Sequence, residues 1–182
     1  MALAVDGDLK MAFLYNPIID EFYTARKGQG AFLNGEKIET SKNDDLSRCV
    51  LAQEISLATV APFLPAIMEK TKALLGRTIG MRALGSAALT LGYIAKGSID
   101  AYNIEYLKPW DIAAGALIVQ EAGGVVIDVS GGPYNIMKPD VIVAATQKLA
   151  KDIREIVSEI DRKLEAEGNS PQQLMKKLKE QQ

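Results

Sequence analysis

The stretch Trp110-Asp111-Ile112-Ala113-Ala114-Gly115-Ala116-Leu117-Ile118-Val119-Gln120-Glu121-Ala122-Gly123-Gly124 sets the frame for the rest of the chain. An aspartate stands just ahead of an apolar run in which Ile112, Ala116, Leu117 and Gln120 fall on adjoining helical rows. Aspartate is a preferred N-cap because its carboxylate accepts the unpaired N–H groups of a first helical turn. The spacing therefore predicts a helix capped by Asp111. Gly123-Gly124 predicts its end, since glycine tolerates the left-handed conformation that closes a helix. Pro109 and Trp110 lead in, and Val125-Val126-Ile127 follows as a short apolar strand. A carboxylate is thus placed at a helix N-terminus, beside a large aromatic, between two strands. A plain cap and a site residue both fit that pattern.

The 182 residues are enough for one domain with a sizeable core. With 48% hydrophobic residues, 24% charged residues and a net charge of −2, the chain reads as soluble and globular. It lacks the basic excess of a nucleic-acid surface. No apolar run approaches the roughly 20 residues of a membrane span, and no signal-like start is visible. The expected setting is cytoplasmic, with no nucleic-acid or membrane partner. The absence of histidine excludes Ser-His-Asp and Cys-His catalysis and imidazole metal sites. Cys49 is the only cysteine and sits in the apolar run Cys49-Val50-Leu51-Ala52, so it reads as a small core residue. Chemistry is left to carboxylates, hydroxyls, backbone amides and an oxygen-ligated cation such as Mg2+.

Outward from the central stretch, the first forty residues read as an antiparallel meander. Met1 to Val5 and Leu9 to Tyr15 are strands joined through Asp6-Gly7-Asp8, a strong hairpin signal that accounts for both aspartates without a metal. Glu21 to Ala25 and Ala31 to Leu33 follow, then an Asn34-Gly35 turn into Lys37-Ile38. Lys27-Gly28-Gln29-Gly30 leads into a strand, not a helix, so it is not a phosphate loop. Cys49 to Gln53 is a buried strand. Leu64, Ile67, Met68, Leu74 and Leu75 predict a helix that Gly76 closes, with Pro62 and Pro65 confined to its first turn. Arg77 to Gly80 reads as a strand. Gly85-Ser86-Ala87-Ala88 opens a helix, with Ser86 as cap and small residues leaving the first-turn amides open to an anion or a packing neighbour. Ile99 to Ile104, Val125 to Val129 and Val141 to Ala145 are strands. Leu149, Ile153, Ile156, Val157, Ile160 and Leu164 stripe a long helix.

The fold class is α/β: antiparallel strands at the start, followed by an αβα C-terminal half. Residues 1–165 form the domain, and 166–182 are a polar tail, a short helix or disordered. In open α/β sheets, polar residues at helix starts after strand ends converge on one crevice. Ser86 and Asp111 are two such points, 25 residues apart.

The central stretch resembles the C-terminal signature of the inositol monophosphatase family, Mg2+-dependent phosphatases of small phosphorylated polyols and sugars. Three further blocks match in order: Tyr23 through Gly35, Gly85-Ser86-Ala87-Ala88, and Gly131-Gly132-Pro133. The similarity spans roughly residues 1 to 160 and implies the family's layered sugar-phosphatase fold, in incomplete form. It implies that Asp111 is a metal ligand and that Gly85, Ser86 and Ala87 touch substrate. Arg82 would pair with a phosphate or with an acidic residue across a homodimer interface, and is equally at home in a structural ion pair.

Two features depart from the family pattern. Relatives acting on inositol phosphates carry a substrate-binding glutamate seven residues before the metal aspartate, where this sequence has Ile104, with Glu105 next to it. One residue along a strand turns a side chain to the opposite face unless a bulge intervenes. This weakens inositol specificity for Glu105 and favours a sugar or fructose-1,6-bisphosphatase-like substrate. The Gly-Glu-Glu and Asp-Pro-Ile/Leu-Asp-Gly-Thr elements, which supply most metal carboxylates in relatives, are absent. A truncated gene model, a shortened non-catalytic protein and a half supplied by a second chain are all compatible with that. The resemblance thus implies a Mg2+-dependent phosphomonoesterase of the inositol monophosphate or fructose 1,6-bisphosphate class, inactive as this chain alone. The alternative is a non-catalytic interaction or dimerisation module on the same scaffold.

Overall fold

The computed structural model describes residues 1–180. The first sheet is a five-stranded antiparallel meander in sequential order. Its strands are β1 (Ala2–Val5), β2 (Asp8–Asn16), β3 (Glu21–Arg26), β4 (Ala31–Leu33) and β5 (Glu36–Ile38). Asp6 and Gly7 both take positive φ (53° and 78°), as do Asn34 and Gly35 (50° and 86°). That is the geometry two-residue hairpins need to match the twist of their strands.

The second sheet holds β6 (Val50–Gln53), β7 (Gly80–Arg82), β8 (Ala101–Ile104), β9 (Val125–Asp128) and β10 (Val141–Ala144), in the order β7-β6-β8-β10-β9. β6 is parallel to both β7 and β8, while β10 runs antiparallel to β8 and β9. Helices α2 (Ala87–Ala95) and α3 (Pro109–Glu121) fill the space between the sheets. Helices α1 (Leu64–Leu75) and α4 (Gln147–Ala166) cover the other face of the second sheet. Two apolar cores result. One joins Leu14 and Tyr23 to Leu91, Ile112 and Tyr102, and the other joins Leu51 and Ile142 to Leu149 and Ile153. The mixed α/β architecture agrees with the fold expected from the sequence.

Several local expectations are corrected. The strand predicted at Arg77 to Gly80 lies instead at Gly80–Arg82. The Arg77 amide is taken by the end of α1, donating to Leu74, and pairing with β6 begins only at Val50 and Gly80. In α1, Leu64, Met68 and Leu75 are exposed, and the buried face runs through Ala66, Ile67, Lys70 and Leu74. Asp111 is not the N-cap of α3. The helix begins earlier, with Pro109 at its first position, where a missing N–H costs nothing. Asp111 sits in the first turn and accepts the backbone N–H of Lys108 at 3.0 Å. The helix stop is as expected: Gly123 has φ 86°, and Gly124 N–H closes back on Val119 C=O at 2.9 Å. The polar tail forms α5 (Pro171–Glu180), largely exposed, and its last two residues lie outside the described part of the chain.

The amides of Gly28, Gln29 and Gly30 donate to one carboxylate, Glu121, at 2.7 to 3.1 Å. The turn between β3 and β4 is thereby fastened to the end of α3, and its amides are not free for a phosphate. The outer face of the first sheet is apolar and uncovered. Phe13 stacks on Phe22 with ring centroids 6.2 Å apart, Tyr15 meets Phe22 edge-on, and Tyr15, Phe22, Leu3 and Val5 are exposed. Among the described residues, no helix is long and apolar enough to cross a membrane.

Cys49 is fully buried, and burial pushes its thiol up to about 12. The thiolate is the reactive form. Native protein at pH 8 is therefore expected to react with a disulfide reagent at least 100-fold more slowly than the urea-unfolded chain. Equal rates would place Cys49 at the surface.

Candidate active site

The parallel strands of the second sheet carry a topological switch. From β6 the chain crosses through α1 to β7 on one side, then returns through α2 to β8 on the other. The two helices leave on opposite faces, and a crevice opens beyond the carboxyl ends of β6 and β8, where ligands of α/β sheets bind. A cleft of about 480 Å³ occupies that place, within the range of small-molecule sites.

Each strand end delivers residues to it. Gln53 and Glu54 come from β6, Gly85 to Ala88 from the start of α2, Asn103 to Leu107 from β8, and Trp110 and Asp111 from the first turn of α3. The structure therefore brings Gly85, Ser86, Ala87, Glu105 and Asp111 together. It leaves out Arg82, whose exposed side chain folds back so that Nη1 donates to the Met81 carbonyl at 2.9 Å.

Ser86 caps α2, its hydroxyl accepting the Leu89 N–H at 3.4 Å. The N–H groups of Ala87 and Ala88 precede the first intrahelical bond and have no partner within the helix. The dipole of α2 adds partial positive charge there. Glu54 stands beside them and accepts the amides of Ile55 and Ser56 at 2.9 Å and the Ser56 hydroxyl. Burial works against its charge, but these bonds and the Gly85 amide outweigh it and hold the carboxyl below its usual range.

Glu105 does not follow strand parity. β8 ends at Ile104, which enters the core, and Tyr106 takes φ 64°. The chain turns there, so the carboxylate reaches the cleft although it is one residue from the expected position. It does not stand free. Lys70, only 2% exposed, donates to Glu105 at 2.5 Å and to Asp161 of α4 at 2.8 Å. Burial acts to discharge Lys70, yet the two carboxylates together hold its ammonium above the usual lysine range.

Glu54, Gln53, Lys70 and Asn103 went unnoticed in the sequence. Glu54 carried a usable signal, an acid directly after a buried strand, the same logic that singled out Ser86 and Asp111. Lys70 carried none.

Mg2+ needs octahedral oxygen coordination, usually from more than one carboxylate. Among the described residues, no three His, Cys, Asp or Glu side chains come together to hold a metal. The three carboxylates of the cleft are also committed separately: Glu54 to its own loop, Glu105 to Lys70, and Asp111 to Lys108 N–H. These residues by themselves do not fit a Mg2+ centre.

The profile of the inositol monophosphatase family matches residues 1–162. Inositol monophosphatase 2 of Rattus norvegicus is 35% identical over 162 residues, covering 88% of this chain and 56% of the relative. Inositol monophosphatase 1 of Bos taurus is 35% identical over 154 residues, covering 84% of this chain and 56% of its own length. The chain thus spans about half the length of the curated relatives it matches. Among solved structures, the extragenic suppressor protein suhB of Bartonella henselae superposes with a TM-score of 0.79 at 33% identity, over 86% of this chain and 59% of that one. An IMPase of Thermotoga maritima gives 0.78 at 34% identity, over 90% and 61%. On the profile match and on these relatives, the chain belongs to the inositol monophosphatase family.

Proposed function

We propose that this chain provides the substrate-holding side of a Mg2+-dependent phosphomonoesterase for small phosphorylated polyols or sugars. The observation that carries the reading is the convergence of the Ser86-capped start of α2 and of Asp111 on one cleft at the switch point. The open amides of Ala87 and Ala88 receive a phosphate oxygen, as helix N-termini do. Gly85 lets the chain turn into the helix with φ 70°. Trp110, largely exposed at the rim, covers one side of the ligand. Asp111 would supply one ligand to a Mg2+ centre, and among the described residues no group of three metal-ligating side chains forms around it.

It follows that the purified chain binds phosphomonoesters but does not turn them over. With Mg2+ and inositol 1-phosphate or fructose 1,6-bisphosphate, phosphate release should stay at background, and calorimetry should show no tight Mg2+ uptake. Sustained release, lost in Asp111→Asn, would overturn this account of the metal.

The uncovered aromatic face of the first sheet favours a second reading, an association module on the phosphatase scaffold, with a second copy of the chain as partner. Exposed apolar patches of this kind mark interaction surfaces. In that case Phe22→Lys and Tyr15→Lys should turn a dimer into a monomer in sedimentation, whereas a wild-type monomer at all concentrations would dispose of it.

A further inference from the structure

Helix α5 lies beyond residue 162, where the family profile ends, yet it is built into the fold. Gly168 takes φ 70°, and the Asn169 N–H closes α4 on the Leu164 carbonyl at 2.8 Å. Ser170 and Gln173 then cap α5 reciprocally. The Ser170 amide donates to Gln173 Oε1 at 3.1 Å, and the Gln173 amide donates to Ser170 Oγ at 3.4 Å. Lys177 Nζ reaches back to the Gly168 carbonyl at 2.7 Å. The helix thus leaves α4 in a fixed direction and lies against the single 3-10 turn Ala61–Phe63 that heads α1. Pro171 is buried and Leu174 half-buried, with Leu178 next on the same face of the helix.

What α5 supports is one wall of the cleft. Between Glu54 and Phe63 the chain has no strand pairing, only two short 3-10 helices, and Pro62 alone is buried. Segments with so little buried surface open locally. Yet Glu54, Ser56 and Leu57 of this arm line the cleft. At its end Phe63 packs on Tyr106, with ring centroids 4.7 Å apart. Tyr106 is where the chain turns Glu105 into the cleft, and its N–H donates to Asp140 at 2.6 Å. A continuous path of contacts therefore runs from α5 through Phe63 to Tyr106. At 10 residues α5 is too short to stay helical alone in water, so its folding and its docking are one event.

Resting on the reading of the cleft as a phosphomonoester site, we infer that α5 is a positioning element for it. Docked, α5 holds the Glu54–Phe63 arm and Tyr106 in the binding geometry, and undocking it lowers the affinity for phosphomonoesters. α5 lines no part of the cleft and acts only through the turn at Phe63.

The test uses the full 182-residue chain and undocks α5 with Leu174→Asp and Leu178→Asp together. Amide hydrogen exchange is read at Ala58, Val60, Phe63 and Tyr106, whose N–H groups are all hydrogen-bonded in the docked form. Exchange at these four should rise at least tenfold, while the amides of the central strand β10 keep their protection. Inositol 1-phosphate, titrated against the emission of Trp110, the single tryptophan, should bind at least fivefold more weakly. Met175→Asp, on the exposed side of the helix, should change neither reading. Phe63→Ala, which breaks the path with α5 intact, should speed exchange at Tyr106 and weaken the same ligand. Unchanged exchange at the four amides, or a rise shared equally by β10, would overturn the inference, the latter by reducing α5 to a general stabiliser. Faster local exchange with unaltered affinity would overturn its link to the cleft. Faster local exchange in a chain whose parent does not respond to inositol 1-phosphate would support the brace and overturn the phosphomonoester reading instead.

Discussion

Lys70→Met is expected to destabilise the fold by roughly 3 kcal/mol, the lower end of the range for removing one partner of a buried ion pair. The lysine is 2% exposed, and its loss strands Glu105, 14% exposed, without compensation. Asp161 is 44% exposed and recovers much of its solvation, which keeps the cost from rising further. The penalty arises from the stranded carboxylate and not from lost packing, so Lys70→Met combined with Glu105→Gln should recover most of it. Urea unfolding measures both: the midpoint falls at constant m-value in the single variant and returns in the double. A single variant as stable as the parent would mean that Lys70 is not enclosed between α1, β8 and α4.

The second large effect lies between the helices that carry the site. A Cβ added at Gly115 would stand 2.3 Å from Leu91 Cδ1 and 2.4 Å from Leu91 Cβ, distances no packed core accepts. α2 and α3 touch there, so Gly115→Ala must push them apart. Overpacking of this kind costs about 1–3 kcal/mol, and for a chain of this size each kcal/mol lowers Tm by about 2–4 °C. Because α2 carries the Ala87 and Ala88 amides and α3 carries Asp111, the variant should also weaken phosphate binding without any change of a cleft residue. Leu91→Gly in the same chain removes the Cβ, Cγ and Cδ1 that the methyl group would meet and gives it room. The double variant should then be less destabilised than the sum of the singles, which a thermal-melt cycle reads directly.

The legible part of the molecule was the part written in local chemistry. Asp6-Gly7 and Asn34-Gly35 specify hairpins because few other pairs accept positive φ twice in succession. The stripe from Leu149 to Leu164 specifies α4 because one of its faces is apolar throughout. Gly85-Ser86 and Asp111 were legible as site candidates because each stands where a strand gives way to a helix. What stayed hidden depends on partners distant in the chain. Lys70 lies on a helix whose exposed Leu64, Met68 and Leu75 suggested another inner face, and its burial is decided by Glu105 and Asp161, 35 and 91 residues away. Glu105 reached the cleft because the strand stops at Ile104, a boundary set by pairing with Val141. Gln53 and Asn103 looked like ordinary strand-end polar residues until the parallel register of β6 and β8 set them side by side.

The central claim is that the start of α2 is where phosphate binds. Titrating 15N-labelled chain with inositol 1-phosphate tests it residue by residue in amide spectra. The account predicts that the Ala87 and Ala88 amides and the Trp110 indole shift first and saturate together, while Gly28, Gln29 and Gly30, held by Glu121, do not move. Saturable shifts at Gly28 to Gly30 with none at Ala87 and Ala88 would contradict it.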